Sequence, residues 1–274
     1  MKHFVLQVQP GEGGIIRLYE KDYHYLIHVR RLKSGMSFDA ILSGGTETKI
    51  RILSTKDNIL IGQCLEKEKT QPGSLLPAGN LLPPIALFQG LPRGAKMDLI
   101  VRQAAEAGVS LVVPFKSEYS QTAPGKGSDE KIKRWERIIK EARQQSGSVT
   151  ETKVLPPCGF DALLEYWESL KKKYSRPIGI ILHQEPLENG SLHGYLRNDP
   201  DFVTLAVGPE GGFSSGELTK FIETGFRPLL MGNTVLRTET AALYGIAAIR
   251  TILLESKAWT SGPTELCSSE PRLI

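Results

Sequence analysis

Two glycine-containing segments near the C-terminus hold the side chains best suited to chemistry. Residues 208–213 read GPEGGF and follow an apolar run, and residues 232–240 read GNTVLRTET and precede a helical pattern. Glycine has no Cβ, so a ligand can contact the backbone of such segments directly. Glu210, Arg237 and Glu239 are the charged residues within them. Together the two segments predict one binding pocket built from two loops.

The second segment alone would also suit an ordinary helix start. Thr238 is a good N-cap residue, and the charge of Glu239 is favourable at the positive end of the helix dipole. A cation is unfavourable there, so Arg237 indicates a functional role. The segments match neither the G-x-G-x-x-G dinucleotide motif nor a phosphate-binding P-loop. The sequence therefore favours a pocket of another kind.

The composition is that of an ordinary globular protein with a mild positive charge. The 274 residues include 34 Lys and Arg against 30 Asp and Glu, a net charge of +4. This balance permits a nucleic-acid partner without requiring one. Cys64, Cys158 and Cys267 are far apart and odd in number, which argues against a disulfide framework or a metal site. We expect reduced thiols in a cytoplasmic protein, with no signal peptide and no membrane-spanning segment.

Hydrophobic periodicity divides the chain into two folded parts and a tail. Residues 1–72 combine four strand-like segments with one helix, which predicts a small β-barrel. After a proline- and glycine-containing linker signal at 70–84, residues 73–256 alternate apolar strands with amphipathic helices. This predicts an α/β domain with a mostly parallel sheet. Ser214 and Glu217 predict a capping box after the first segment, and residues 257–274 form a polar tail.

The same segments carry a family resemblance. GPEGGF followed by LMGNTVLRTETA resembles the C-terminal motifs of the RsmE family. Its members are S-adenosylmethionine-dependent methyltransferases of the trefoil-knotted SPOUT class that methylate N3 of a uridine in small-subunit ribosomal RNA. The resemblance continues in K-M-D at 96–98, R-W-x-x-I-I-x-E-A-x-x-Q-S-G at 134–147 and H-x-x-x-x-V-x-R at 24–31, and it covers nearly all of residues 1–255. Tyr119 and Ser148 depart from it, since the family commonly has Arg there.

The resemblance implies a fold, a cofactor and an assembly. The fold is an α/β SPOUT-type trefoil-knotted domain with a mostly parallel sheet, joined to a small N-terminal PUA-like β-barrel. The implied assembly is a homodimer with the pocket at or near the subunit interface. The implied cofactor is S-adenosylmethionine, and the residues expected to bind it are Leu182, His183, Val207, Gly208, Pro209, Gly211, Gly212, Met231, Gly232, Val235, Leu236, Thr238 and Thr240. For His183, a solvated residue at a strand end is an equally good interpretation.

Methylation of a uridine N3 requires this imide nitrogen to lose its proton. The negative charge then spreads over the flanking carbonyl oxygens, and a guanidinium stabilises planar anions. We therefore predict that Arg237 is the catalytic cation. Glu210 or Glu239 would accept the proton or orient Arg237, and the sequence does not choose between them.

Basic residues of the N-terminal part predict the RNA contact, because phosphate contacts come from such side chains. The candidates are His24, Arg30, Arg31, Lys33 and Arg51, and the partner would be ribosomal RNA or the small ribosomal subunit. Two alternatives stay open: a non-catalytic RNA-binding protein, and a SPOUT methyltransferase with another RNA target. Tyr119 and Ser148 each replace a positive charge on the expected RNA surface, so they bear on the target and leave the cofactor segments intact.

Overall fold

The computed structural model describes residues 4–65, 82–121, 128–187 and 190–258. These residues form a five-stranded sheet and a seven-stranded sheet. The predicted domain boundary at residue 72, most of the predicted linker and nearly all of the predicted tail lie outside the described residues. Of the helices in the described ranges, none is long and apolar enough to cross a membrane.

The N-terminal sheet is mixed and has the strand order β1-β3-β4-β5-β2. Its strands are β1 (Phe4–Val5), β2 (Ile15–Leu18), β3 (Ser37–Ile41), β4 (Glu47–Ser54) and β5 (Leu60–Leu65). Only β1 and β3 pair in parallel. Within the described residues β1 and β2 do not pair with each other, so the predicted barrel is a curled half-barrel. Strand β2 is additional to the four predicted strands.

Strand β4 separates the core of this sheet from a charged outer surface. Thr48, Ile50 and Ile52 are buried, whereas Lys49 and Arg51 are exposed. Successive side chains of a strand point to opposite faces of the sheet. The two basic side chains therefore share the outer face.

A short helical segment packs on the N-terminal sheet and contacts the rest of the molecule. Helix α1 (Glu20–His24) continues into a π-helical turn at Tyr25–Val29, and Leu26 of this turn is buried in the core of the sheet. The Asp22 carboxylate accepts a hydrogen bond from Lys140 Nζ at 3.4 Å. This bond links the N-terminal part to the α/β domain.

The second sheet is parallel throughout and has the strand order β12-β10-β11-β6-β7-β8, with β9 also paired to β7. Its strands are β6 (Ile85–Gly90), β7 (Leu111–Lys116), β8 (Lys153–Val154), β9 (Cys158–Gly159), β10 (Pro177–Leu182), β11 (Phe202–Val207) and β12 (Phe226–Leu229). The helices are α2 (Lys96–Glu106), α3 (Ser128–Ser146), α4 (Phe160–Lys173), α5 (Leu192–Leu196), α6 (Ser215–Glu223) and α7 (Thr238–Ala258). The predicted alternation and the predicted parallel sheet are confirmed, and α5, β8 and β9 are additional.

Helices cover both faces of this sheet because its strands are apolar on both sides. Along β6, Ile85 and Leu87 belong to the core that includes residues of α2, α3 and α7. Ala86 and Phe88, which point the other way, belong to the core that includes residues of α4 and α6. The carboxyl ends of the strands are therefore the place for a ligand in this architecture.

The strand order brings three loops together at that edge. Strand β10 lies between β11 and β12, and β6 lies on the other side of β11. We call residues 208–213, which follow β11, the first loop, and residues 230–237, which join β12 to α7, the second loop. They flank the residues that follow β10, which lies between the two strands that lead into these loops.

Candidate active site

A cleft of about 480 Å³ lies where the first and second loops meet the end of β10. The predicted cofactor residues that line it are Leu182, His183, Val207, Gly208, Pro209, Gly211, Gly212, Met231, Gly232, Val235, Leu236 and Thr238. Thr240 does not line the cleft and is exposed on α7. Among the predicted catalytic residues, Glu210 and Arg237 line the cleft and Glu239 does not. The structure thus brings together most of the predicted set.

The first loop is a tight turn that only glycine allows. A Cβ on Gly208 would lie 2.9 Å from the carbonyl carbon of Gly212, and Gly212 has a φ of +71°. The Gly212 N–H donates to the carbonyl oxygen of Pro209 at 2.9 Å. A side chain at Gly208 would open this turn, because a Cβ does not tolerate so close a contact.

The predicted capping box is present where the first loop enters α6. Ser214 Oγ accepts the Glu217 N–H at 3.3 Å, and the Glu217 carboxylate accepts the Ser214 N–H at 3.0 Å. The same buried carboxylate accepts hydrogen bonds from Ser117 Oγ and the Glu118 N–H, both at 2.9 Å. Glu217 therefore fixes the residues after β7 against the start of α6.

This connection holds Tyr119 over the first loop. A Cβ on Gly211 would lie 2.8 Å from the Tyr119 Cβ, and the Tyr119 side chain is 48% exposed. The departure from the family pattern at this position thus lies beside the cleft. The other departure, Ser148, supplies a backbone carbonyl that accepts a hydrogen bond from the buried Arg143 at 3.4 Å.

Thr238 joins the two loops, a role that differs from the N-cap that its position suggested. Its hydroxyl donates to the carbonyl oxygen of Gly208 at 2.6 Å and accepts a hydrogen bond from Gln89 Nε2 at 2.9 Å. Gln89 is fully buried near the end of β6. Gln89 was not among the predicted site residues, although a lone amide in the apolar run IALFQG is itself a signal, because buried polar side chains need partners.

Lys96 is the second residue that the sequence analysis missed. Its Nζ lies 2.8 Å from Glu210 Oε1 and 3.7 Å from Glu239 Oε2. The Arg93 N–H donates to both oxygens of Glu210, at 3.1 and 3.3 Å. Lys96 is the first residue of α2, so the argument that marked Arg237, a cation at a helix N-terminus, would have marked it too.

The pairing of Glu210 and Lys96 keeps both groups charged. Burial acts to raise the pKa of Glu210, but hydrogen bonds from Lys96 and backbone amides outweigh it, so this pKa lies below its usual value. The hydrogen bond to Glu210 raises the pKa of Lys96, and burial and the nearby charge of Arg237 oppose this only in part. An ion pair therefore stands at one side of the cleft at neutral pH.

Arg237 is placed to meet a substrate. Its side chain is exposed and lines the cleft, and within the described ranges no hydrogen-bond or ion-pair partner holds its guanidinium. Beside it, Val235 is 79% exposed. The second loop thus presents a free cation and an apolar side chain to a ligand.

His183 extends the sheet into the cleft wall. Its N–H donates to the carbonyl oxygen of Leu229 at 3.1 Å, which continues the pairing of β10 with β12. Its Nδ1 lies 3.2 Å from both the backbone nitrogen and the backbone oxygen of Glu185. This position is compatible with both earlier interpretations, a ligand contact and a solvated strand end.

The predicted RNA-binding residues lie in the N-terminal part, away from the cleft lining. His24, Arg30, Arg31, Lys33 and Arg51 are all exposed. The Arg30 guanidinium lies 5.6 Å from the centre of the Phe4 ring, a cation–π distance. The structure groups these residues in one domain, and their role in RNA binding stays a prediction.

The cleft has the character that a nucleoside-containing cofactor needs. Backbone groups of the two loops offer hydrogen-bond donors and acceptors, and Leu182, Val207 and Leu236 offer apolar surface. A Cβ on Gly232 would meet no atom within 4 Å, so the second loop leaves open space there. The residues present therefore fit a ligand such as S-adenosylmethionine.

The fold and the cleft define a class of protein. A parallel α/β sheet beside an N-terminal half-barrel, with a cleft between two loops at the carboxyl edge, matches SPOUT methyltransferases. Residues 80–250 match a family model described as an RNA methyltransferase domain. The chain is an RNA methyltransferase of the SPOUT class.

Comparison with individual proteins narrows this class to a family. Ribosomal RNA small subunit methyltransferase E of Synechocystis sp. is 31% identical over 241 residues, 87% of this chain and 73% of that protein. Methyltransferase E 2 of Borreliella burgdorferi is 30% identical over 259 residues, 92% of this chain and 98% of that protein. The crystal structure of the Neisseria gonorrhoeae methyltransferase E bound to S-adenosyl methionine has a TM-score of 0.74 and 25% identity, covering 92% of this chain and 98% of that one. This chain belongs to the ribosomal RNA small subunit methyltransferase E family, and the resemblance to the RsmE family is confirmed.

Proposed function

We propose that this protein methylates N3 of a uridine in small-subunit (16S) ribosomal RNA, with S-adenosylmethionine as the methyl donor. The observation that carries the proposal is the hydrogen bond from Thr238 to Gly208. It joins the two loops that resemble the family's motifs, so that they line a single cleft. The Neisseria gonorrhoeae relative, which shares this fold, binds S-adenosyl methionine. The Synechocystis and Borreliella relatives are named as ribosomal RNA small subunit methyltransferases.

The cofactor would be held mainly by backbone. The glycines of the first loop and the open backbone at Gly232 suit its polar edges, and Leu182, Val207 and Leu236 suit its apolar surfaces. When bound, S-adenosylmethionine supplies an electrophilic methyl group, so the protein has only to position and ionise the acceptor.

Arg237 would stabilise the uridine anion. It lines the cleft and is exposed, and a guanidinium presents several N–H donors in a plane that suits carbonyl oxygens. A cationic donor is most valuable where negative charge develops during the reaction. Glu210 and Glu239 are the candidates to accept the N3 proton or to orient the neighbouring cations.

The substrate would contact the N-terminal sheet as well as the cleft. His24, Arg30, Arg31, Lys33 and Arg51 form an exposed basic set there, which suits the phosphates of ribosomal RNA or of the small ribosomal subunit. We further propose that the protein acts as a homodimer in the cytoplasm, where its substrate is made.

Mass spectrometry of 16S RNA from cells that lack this protein tests the proposed function. We expect N3-methyluridine to be absent, and to return when the wild-type protein is supplied but not when Arg237→Ala is supplied. Calorimetry with S-adenosylmethionine should show binding to the purified protein. Unchanged N3-methyluridine together with loss of another methylated nucleoside would move the target, and failure to bind the cofactor would reject the enzyme.

A further inference from the structure

Lys96 connects the first loop to the start of α7 from a third element of the fold. It begins α2, which follows β6, and its ammonium contacts the first loop through Glu210 and α7 through Glu239. The separations along the chain are large: Glu210 is 114 residues from Lys96. One ammonium group therefore forms ion pairs with both carboxylates.

The geometry leaves part of this ammonium free for a ligand. An ammonium has three N–H donors. One is used at 2.8 Å by Glu210 Oε1, and the 3.7 Å separation from Glu239 Oε2 is an ion-pair distance beyond that of a hydrogen bond. Lys96 lines the cleft and its side chain is 35% exposed, so a donor is available on the cleft side.

The two carboxylates are better placed to hold Lys96 than to take a proton from a substrate. Both oxygens of Glu210 accept hydrogen bonds from the Arg93 N–H, and Oε1 also accepts one from Lys96. These bonds favour the ionised carboxylate, which makes Glu210 a weak base. Glu239 does not line the cleft, and its Oε2 is buried without a hydrogen-bond donor among the described residues.

We infer that Lys96 is a catalytic residue that donates a hydrogen bond to a carbonyl oxygen beside N3 of the substrate uridine, and that Glu210 and Glu239 hold it in place. This inference rests on the proposed function. Lys96 is thus a second cation, besides Arg237, in the lining of the cleft. Two cations suit a uridine because its N3 is flanked by two carbonyl groups, and each takes a share of the negative charge.

The step that Lys96 assists is ionisation of the uridine. The N3–H bond breaks, its electron pair stays on the base as an imide anion, and the proton passes to solvent water. An ammonium beside the carbonyl oxygen stabilises the anion more than the neutral base, so it raises the fraction of uridine that is ionised at neutral pH. Three charged side chains face Lys96 here: Glu210, Glu239 and Arg237.

Single-turnover methylation of small ribosomal subunits, purified from cells that lack the protein, tests the inference between pH 6.5 and 9. For Lys96→Met we expect a rate about 10²-fold lower than wild type near pH 7, the usual effect of removing one such donor. The deficit should shrink as the pH rises, because hydroxide then ionises the uridine without help. Lys96→Arg should recover part of the rate, since it keeps a cation.

Two further measurements separate catalysis from a structural role. Calorimetry should give Lys96→Met an affinity for S-adenosylmethionine within a few fold of wild type. Lys172→Met, which removes an exposed lysine of α4 on the opposite face of the sheet, should match wild type in rate and in its pH profile. A wild-type rate for Lys96→Met, a deficit that is constant with pH, or an equal loss of cofactor affinity would overturn the inference. The wild-type rate is measured first. If the wild-type protein does not methylate these subunits, the proposed function fails; if it does and Lys96→Met is no slower, only the inference about Lys96 fails.

Discussion

Thr238 donates its hydroxyl proton to the carbonyl oxygen of Gly208 over 2.6 Å, and so ties the first residue of α7 to the first glycine of the loop after β11. The same hydroxyl accepts a hydrogen bond from the buried Gln89. Strand β6, the end of β11 and helix α7 thereby meet at one oxygen atom. The shape of the cleft depends on this oxygen because the first loop begins at Gly208 and the second loop ends immediately before Thr238.

Replacing Thr238 by valine should destabilise the protein and weaken cofactor binding. The change keeps the shape but removes the hydrogen bond to the Gly208 carbonyl and the one from Gln89 Nε2. Gln89 Nε2 keeps the Gly90 carbonyl at 2.9 Å and lies 3.5 Å from the Gly208 carbonyl, so we expect a loss of about 1–3 kcal/mol in all. Urea unfolding and calorimetry with S-adenosylmethionine measure the two effects. Thr238→Ser keeps the hydroxyl and is the control.

Gln89 and Thr238 should also prove coupled. Gln89→Leu removes the amide that donates to the Thr238 oxygen, so the double variant with Thr238→Val should lose less stability than the two single variants summed. The same unfolding measurement gives the coupling energy. Strictly additive losses would show that the hydrogen bond between the two side chains contributes little.

Arg237→Ala should abolish methylation while cofactor affinity changes by no more than a few fold. The guanidinium is exposed in the cleft and holds no partner in the described part of the chain, so its removal leaves the loops intact. A rate loss of about 10²–10³-fold is typical for one lost donor to a developing anion. Single-turnover methylation and calorimetry should be compared on the same preparation. A parallel loss of rate and of cofactor affinity would mean that Arg237 only shapes the pocket.

Glu210→Gln should lower stability at neutral pH, and the deficit should fade in acid. The pKa of Glu210 in the folded protein lies below its ordinary value of 4.5, so its ionised form contributes stability above that pH. This contribution is lost as the pH falls through the lowered pKa. Thermal unfolding from pH 8 to pH 3 follows the difference between variant and wild type.

Lys96, the partner of Glu210, sets the upper limit of the pH range in which their ion pair stabilises the protein. The pKa of Lys96 lies above its ordinary value of 10.5, so its contribution is present at neutral pH and is lost only as the pH rises through the raised pKa. The control for Glu210→Gln is Glu223→Gln, which alters an exposed carboxylate at the last residue of α6. If Glu210→Gln and Glu223→Gln changed the stability equally and independently of pH, the ion pair of Glu210 with Lys96 would not contribute to stability.

The double variant Lys33→Gln/Arg51→Gln should bind RNA more weakly and with less dependence on salt. Each lost phosphate contact reduces the slope of log affinity against log salt by about 0.7–0.9, so the loss of both should reduce it by about 1.4–1.8. Titration of labelled 16S RNA fragments at several salt concentrations measures the slope. Lys172→Gln, on α4, should leave the slope unchanged, and a double variant with an unchanged slope would remove this surface from the RNA site.

Local patterns account for much of what the sequence predicted correctly. The alternation of apolar strands and amphipathic helices predicted the parallel sheet, and the S-x-x-E spacing predicted the capping box of Ser214 and Glu217. Both patterns consist of residues that are close together in the sequence. The two loops were recognised from their glycines and from Arg237. The knot implied by the family resemblance has no local pattern that would predict it.

Contacts across long separations account for what was missed. Lys96 and Gln89 gain their roles from partners 114 and 149 residues away, and no spacing rule connects such positions. Closure of the N-terminal sheet also depends on its edges: β1 and β2 are short and stay apart, so a predicted barrel is a half-barrel. Helix α5 has only five residues, too few for periodicity to indicate it.

The 149-residue separation between Gln89 and Thr238 sets an order of assembly. The ribosome adds Thr238 after every strand of the large sheet, and 149 residues after the Gln89 amide that donates to it. Until Thr238 is added, the Gly208 carbonyl lacks the hydroxyl that ties it to the start of α7. The two loops therefore cannot take up their final positions before the start of α7 has been synthesised.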